Sequence, residues 1–185
     1  MKIENEFTVS QPVSTVWAFF QDVPSVAECL PGAELTEDRG DGTYAGKVSV
    51  KLGPMAANFE GAATVTPDEA THSGTIDGKG ADRRGGSRGQ VKVAYRLEEA
   101  DGGTKVQIDA DVTLSGAAAQ FGRTGLISEM SNRLIGDFVS CVEGRLAAES
   151  PEAASEVRAA DVNGFGLFLE SLISWIKKIF SRSRS

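Results

Sequence analysis

Histidine and cysteine are scarce in this 185-residue chain, which has one histidine and two cysteines. One imidazole, His72, and two isolated thiols, Cys29 and Cys141, cannot assemble a four-ligand zinc site. A Ser–His–acid triad would have to recruit His72, and the sequence suggests no nucleophile beside it. No stretch approaches 18 uninterrupted apolar residues, so no helix is expected to span a bilayer. The opening residues, MKIENEFTVS, lack an apolar h-region, which predicts no secretory signal and cytoplasmic residence. In a reducing compartment the two cysteines are expected as small buried thiols. Positive charge is also short. Nineteen Lys and Arg face 26 Asp and Glu, the net charge is −7, and no basic stripe is interleaved with aromatics, so nucleic acid is not an expected partner. Gly78-Lys79-Gly80 and Gly85-Gly86-Ser87-Arg88-Gly89 resemble phosphate-binding glycines but lack the strand-to-helix setting such loops need.

What the chain does have is a clear order of periodicities. Ile3–Val9 alternates and reads as a strand, and Ser10-Gln11-Pro12 opens a helix with Val13, Val16, Trp17 and Phe20 on its inner stripe. A short helix is expected over Val23–Leu30. Strands are then expected over Ala33–Glu37, Tyr44–Leu52, Met55–Thr66, Thr71–Asp82, Ser87–Glu98 and Thr104–Leu114, separated by turn signals such as Asp41-Gly42, Gly53-Pro54 and Asp101-Gly102-Gly103. From about Phe121 to Ala148 the period changes to 3.6. Ile127, Met130, Leu134, Ile135, Phe138, Cys141, Val142 and Leu146 form one stripe. This order predicts an α+β domain over 1–148, a curved seven-stranded antiparallel sheet gripping one long C-terminal helix, the element large enough to cover the sheet's concave face.

The strand alternation assigns that concave face, which is apolar yet rich in Gly46, Gly61, Ala63, Gly74, Gly78, Gly80, Gly89 and Ala110. Small residues there either permit strand coiling or leave a hollow for an apolar ligand. On the hollow reading the candidate ligand-binding residues are Phe20, Leu30, Tyr44, Val48, Val50, Leu52, Phe59, Ala63, Ile76, Gly78, Val93 and Tyr95. Ile127, Met130 and Leu134 of the long helix join them. Gly116–Gly125 is either a plain loop or a gate. As a gate, Phe121 is its flap, and Gln120, Arg123 and Thr124 are its hydrogen-bonding groups for a ligand oxygen. Asp82-Arg83-Arg84 is read as a solvated turn, with a polar rim to the cavity as the alternative.

Residues 149–161 are rich in Ala, Ser and Glu and are read as a flexible tether, 13 residues spanning about 20 Å. Residues 162–185 form an amphipathic helix in projection. Val162, Phe165, Phe168, Leu169, Leu172, Ile173, Trp175, Ile176, Ile179 and Phe180 fall on one arc, and Lys177, Lys178, Arg182 and Arg184 give a basic end. This tail carries +3 and the remainder −10, the pattern of an acidic module attached to an anionic surface, here the inner face of the cell membrane. Its other use is a helix that packs on a partner protein or on its own domain.

Five blocks agree in order with a known family. They are Cys29-Leu30-Pro31-Gly32-Ala33-Glu34, Gly46-Lys47-Val48 through Leu52-Gly53-Pro54, Phe59-Glu60-Gly61, Gly78-Lys79-Gly80-Ala81-Asp82, and Gly116 through Ala119-Gln120-Phe121-Gly122-Arg123. With them the chain resembles the carbon monoxide dehydrogenase CoxG family of the helix-grip SRPBCC/START-like superfamily. The resemblance implies an accessory protein, not an enzyme, that serves an aerobic molybdenum CO dehydrogenase at the membrane. It also implies a quinone as the guest, menaquinone or ubiquinone. Two alternatives stand beside it: a ligand-free docking subunit, and a cyclase or dehydratase using His72, Tyr44 and Tyr95.

Overall fold

The computed structural model describes residues 1–52, 55–123, 126–148 and 157–158. The first strand, β1 (Lys2–Val9), leads into helices α1 (Val13–Gln21) and α2 (Val23–Glu28). Six strands follow: β2 (Ala33–Asp38), β3 (Thr43–Leu52), β4 (Met55–Asp68), β5 (Ser73–Asp82), β6 (Ser87–Ala100) and β7 (Gly103–Ser115). A 3-10 segment, Gly116–Arg123, precedes the long helix α3 (Leu126–Leu146). The sheet is antiparallel with order β1-β7-β6-β5-β4-β3-β2. Thus the hairpins run consecutively from β2 to β7, and β1 closes the far edge. This is the helix-grip architecture that the periodicities predict.

Local chemistry sets the boundaries. Pro24 sits in the first turn of α2, and the Asp22 side chain accepts from the Ser25 amide at 3.3 Å, which caps the helix. Gly32, at φ +78°, ends the turn after α2. A Cβ there would overlap the Ser49 carbonyl oxygen, so only glycine lets this turn dock on β3. The long helix begins at Leu126 rather than Phe121, because Gly116–Arg123 winds as 3-10 first. His72 lies outside β5, in the left-handed region at φ 45°, closing a single 3-10 turn over Glu69–Thr71. The alternation expected from Thr71 therefore starts at Ser73.

The buried core gathers at one end of the concave face. Val9, Val16, Trp17, Tyr95, Leu97, Val106, Phe138 and Val142 are all buried there. Phe138 of α3 meets Phe7 of β1 edge-on at 6.1 Å and Phe20 of α1 at 6.3 Å, so α3 and α1 close this end together.

The two cysteines are not free thiols. Cys29 and Cys141, 112 residues apart in sequence, form a disulfide with Cα atoms 5.4 Å apart, which ties the end of α2 to α3. The expectation of lone reduced thiols is thereby overturned. Packing of the Cys29 turn against the α3 stripe brings the two sulfurs within bonding reach. One helical turn further on, the buried Arg145 donates to Glu28 and, at 2.6 Å, to the Val157 carbonyl. Arg158 reaches Glu28 at 3.6 Å. Most of the stretch read as a tether lies outside the described residues, but Val157 and Arg158 within it rest against the domain.

Breaking the disulfide releases a constraint on a long loop and should cost about 2–4 kcal/mol of stability. Urea unfolding of the full chain with and without a dithiol reductant measures this. The midpoint should fall on reduction, and a Cys29→Ala/Cys141→Ala variant should match the reduced protein and no longer respond to the reductant.

Candidate ligand-binding face

Strand register places the small residues in rows across the sheet. Gly46, Gly61, Gly80 and Gly89 stand side by side on β3, β4, β5 and β6, and Tyr44, Ala63, Gly78 and Val91 form the row two residues along each strand. These glycines serve two different purposes. A Cβ at Gly46 would meet the Glu34 carbonyl oxygen at 2.7 Å, and one at Gly61 would overlap the Lys79 carbonyl oxygen. Those two permit close strand approach and coiling. The others face side chains, Gly78 that of Val91 at 2.9 Å and Gly80 and Gly89 that of Phe59. A Cβ at Gly80 would be 3.3 Å from the Phe59 Cβ, and one at Gly89 would be 3.6 Å from the edge of the Phe59 ring. Tyr95 covers Gly74 in the same way, its hydroxyl oxygen lying where a Cβ would need room.

Two rings therefore lie across the face. Phe59 marks the end near the 3-10 segment, and Tyr95 the end under α1. They are separated by six residues of β5 and β6, about 20 Å of strand. Between and beside them the wall is apolar and only half-buried: Tyr44, Val50, Ala63, Ile76, Val91 and Val93. Gly78 is buried, and Val48 is 44% exposed.

The remaining candidates are placed as follows. Phe20 is half-buried against Tyr95, with ring centres 5.6 Å apart. Leu134 is half-buried on α3, Leu30 is 45% exposed, and Gln120 is exposed on the 3-10 segment. The side chains of Leu52, Phe121, Arg123, Ile127 and Met130, together with Thr124 and the tail residues Phe165 through Arg184, lie outside the described residues.

Polar groups differ sharply between the two ends. Near the 3-10 segment, Asp82 is 5% exposed and accepts from the amides of Gly85 at 2.8 Å, Arg84 at 3.0 Å and Asn58 at 3.3 Å. These donors, Gly85 foremost, hold its carboxyl below the usual carboxylate range. Ser87 accepts from the Ala118 amide at 3.0 Å, which fixes the 3-10 segment to the β5–β6 turn. Arg83 and Arg84 are exposed, as a solvated turn expects, whereas the Asp82 carboxylate beside them is buried. At the other end, under α1, the Tyr95 hydroxyl is buried without a hydrogen-bond partner. Burial raises its pKa, and burial with the carboxylates of Asp38 and Asp22 raises that of Tyr44. Both shifts favour the protonated phenol. His72 packs edge-on to Trp17 at 5.4 Å. Among the described residues no group of three or more His, Cys, Asp or Glu side chains could hold a metal ion, and no helix is long and apolar enough to cross a membrane.

A family model for CoxG, the G subunit of carbon monoxide dehydrogenase, matches residues 6–147. The chain belongs to the CoxG family. Solved structures share its fold. A conserved protein of Geobacillus kaustophilus superimposes with a TM-score of 0.70 at 17% identity, covering 80% of this chain and 95% of that one. A Thermus thermophilus protein gives 0.58 at 14% identity, covering 81% and 100%. An aromatase/cyclase from a Streptomyces species gives 0.54 at 19% identity, covering 86% and 96%. No curated protein sequence matches the chain. The family model spans nearly all of the helix-grip domain of this CoxG member, and CoxG is an accessory subunit family.

Asp82 yields a pH prediction. Its folded pKa is lowered, so the stability it adds is fully present above the unfolded value of about 4 and is lost as pH falls through the folded one. Asp82→Asn should lower the urea midpoint at neutral pH, and should flatten the loss of stability that the parent chain shows below about pH 4.

Proposed function

We propose that this CoxG member serves a CO dehydrogenase as a carrier rather than as a catalyst, holding an apolar small molecule on its concave face. The observation that carries this reading is the half-buried apolar wall between Phe59 and Tyr95, about 20 Å long at the rise of a β-strand. A wall left partly uncovered beside a packed core favours a guest of matching apolar surface, since each fully buried large apolar group contributes about 1.5–3 kcal/mol. The guest proposed is a respiratory quinone, menaquinone or ubiquinone, because such an electron acceptor is apolar, stored in the membrane and long enough to fill such a wall. Residues 162–185 would hold the protein at the inner face of the membrane, with the apolar arc in the interface and Lys177, Lys178, Arg182 and Arg184 on anionic headgroups. Because Val157 and Arg158 rest on the domain, the reach of the tail is set from about that point rather than from the end of α3.

A catalytic role for the tyrosines is disfavoured by their chemistry. A cyclase or dehydratase needs a group that gives up and takes back a proton near neutral pH, whereas Tyr44 and Tyr95 are both shifted upward.

The test is CO-dependent quinone reduction in membranes supplied with the enzyme and this protein. Deleting residues 162–185 should move the protein from the membrane pellet to the supernatant. Ala63→Leu should leave it on the membrane but lower quinone reduction about tenfold, the effect of losing about 1.4 kcal/mol of binding. Undiminished reduction with Ala63→Leu overturns the carrier reading in favour of a docking subunit without a guest.

A further inference from the structure

Tyr95 is the one buried side chain among the described residues whose polar atom has no hydrogen-bond partner. It is 6% exposed. Its ring reaches from β6 across β5, so that the hydroxyl end stands over Gly74. Gly74 makes this posture possible, since any side chain there would collide with the hydroxyl. Trp17, at 6.5 Å between ring centres, and Phe20, at 5.6 Å, pack around the same ring without offering an acceptor to its oxygen. A buried hydroxyl left unpaired costs about 1–3 kcal/mol, and that cost is removed by a partner supplied from outside the chain. At the opposite end the situation is reversed. Asp82 and Ser87 are buried too, but both are committed to the β5–β6 turn and the 3-10 segment.

Resting on the carrier reading above, we propose that Tyr95 donates a hydrogen bond to an oxygen of the guest, and that the guest lies with its oxygen-bearing ring under α1 and its apolar remainder toward Phe59 and the 3-10 segment. This orientation is opposite to the one in which Gln120, Arg123 and Thr124 receive the ligand oxygen at the gate. Its chemical consequence is selectivity. The face accepts a flat, acceptor-bearing ring in preference to a hydrocarbon of the same shape, because only the former pairs the buried hydroxyl.

Two probes separate this proposal from the reading beneath it: 2-methyl-1,4-naphthoquinone and 2-methylnaphthalene, matched in ring size and differing in the two carbonyl oxygens. Titrated into the full chain, the quinone should bind more tightly. Tyr95→Phe should weaken the quinone about five- to tenfold and leave the hydrocarbon unchanged. Gly74→Ala, which displaces the hydroxyl, should reproduce the quinone-specific loss. If neither probe binds the parent chain, the carrier reading itself fails. If both bind and Tyr95→Phe changes neither, the carrier reading stands and the role of Tyr95 is overturned. The thermal midpoint of Tyr95→Phe without probe should be unchanged or higher, since an unpaired buried hydroxyl has been removed. A large fall would mean the fold itself uses the hydroxyl and would overturn the proposal. An azide-bearing naphthoquinone, photolysed and mapped by peptide mass spectrometry, should label Val13–Gln21 and Ser73–Asp82, whereas labelling confined to Gly116–Arg123 contradicts the orientation.

Discussion

A seven-stranded curved sheet presents far more apolar concave surface than its own strands can bury, and the helices cover that surface unevenly. Over β1, β7 and β6 the aromatic cluster of Phe7, Trp17, Phe20, Tyr95 and Phe138 closes against α1 and the later turns of α3. Toward β5, β4 and β3 the wall is half-buried. The closed end supplies stability, and Tyr95 stands at its border with the half-covered wall, paired across β5 and β6 with Gly74. The register that sets the glycines in rows governs both, because it decides which strands coil and where Phe59 and Tyr95 lie flat.

The closed end is then locked from outside. The Cys29–Cys141 disulfide joins α2 to α3, and Arg145, four residues after Cys141, gathers Glu28 and the Val157 carbonyl at the same junction. A buried guanidinium is tolerated there because its donors are met by a carboxylate and a carbonyl oxygen. The junction holds the late turns of α3, which keep Phe138 over the core.

The strand order, the long helix and the helix-grip class are legible in the sequence because period-2 and period-3.6 patterns are local and strong in this chain. Alternation alone assigns Tyr44, Ala63, Ile76 and Val93 to one face, and the register agrees. Other features are hidden for physical reasons. The cysteines are 112 residues apart, so nothing local marks them as partners. Asp82 sits in a run of polar and glycine residues that reads as solvated, and only the three converging amides make it buried. The left-handed turn at His72 interrupts an alternation that the sequence continues without a break. The glycines leave a choice between coiling and a hollow, and the structure divides them: Gly46 and Gly61 face backbone, while Gly74 and Gly89 lie against the rings of Tyr95 and Phe59.

The central claim is that the concave face carries an apolar, oxygen-bearing guest. Organic extraction of the full chain purified from its native membranes, followed by mass spectrometry, tests it most directly. The account predicts one isoprenoid quinone per chain, at a level well above that of the surrounding membrane lipids. Protein that yields no such molecule, or only phospholipid in proportion to the membrane it came from, would contradict it.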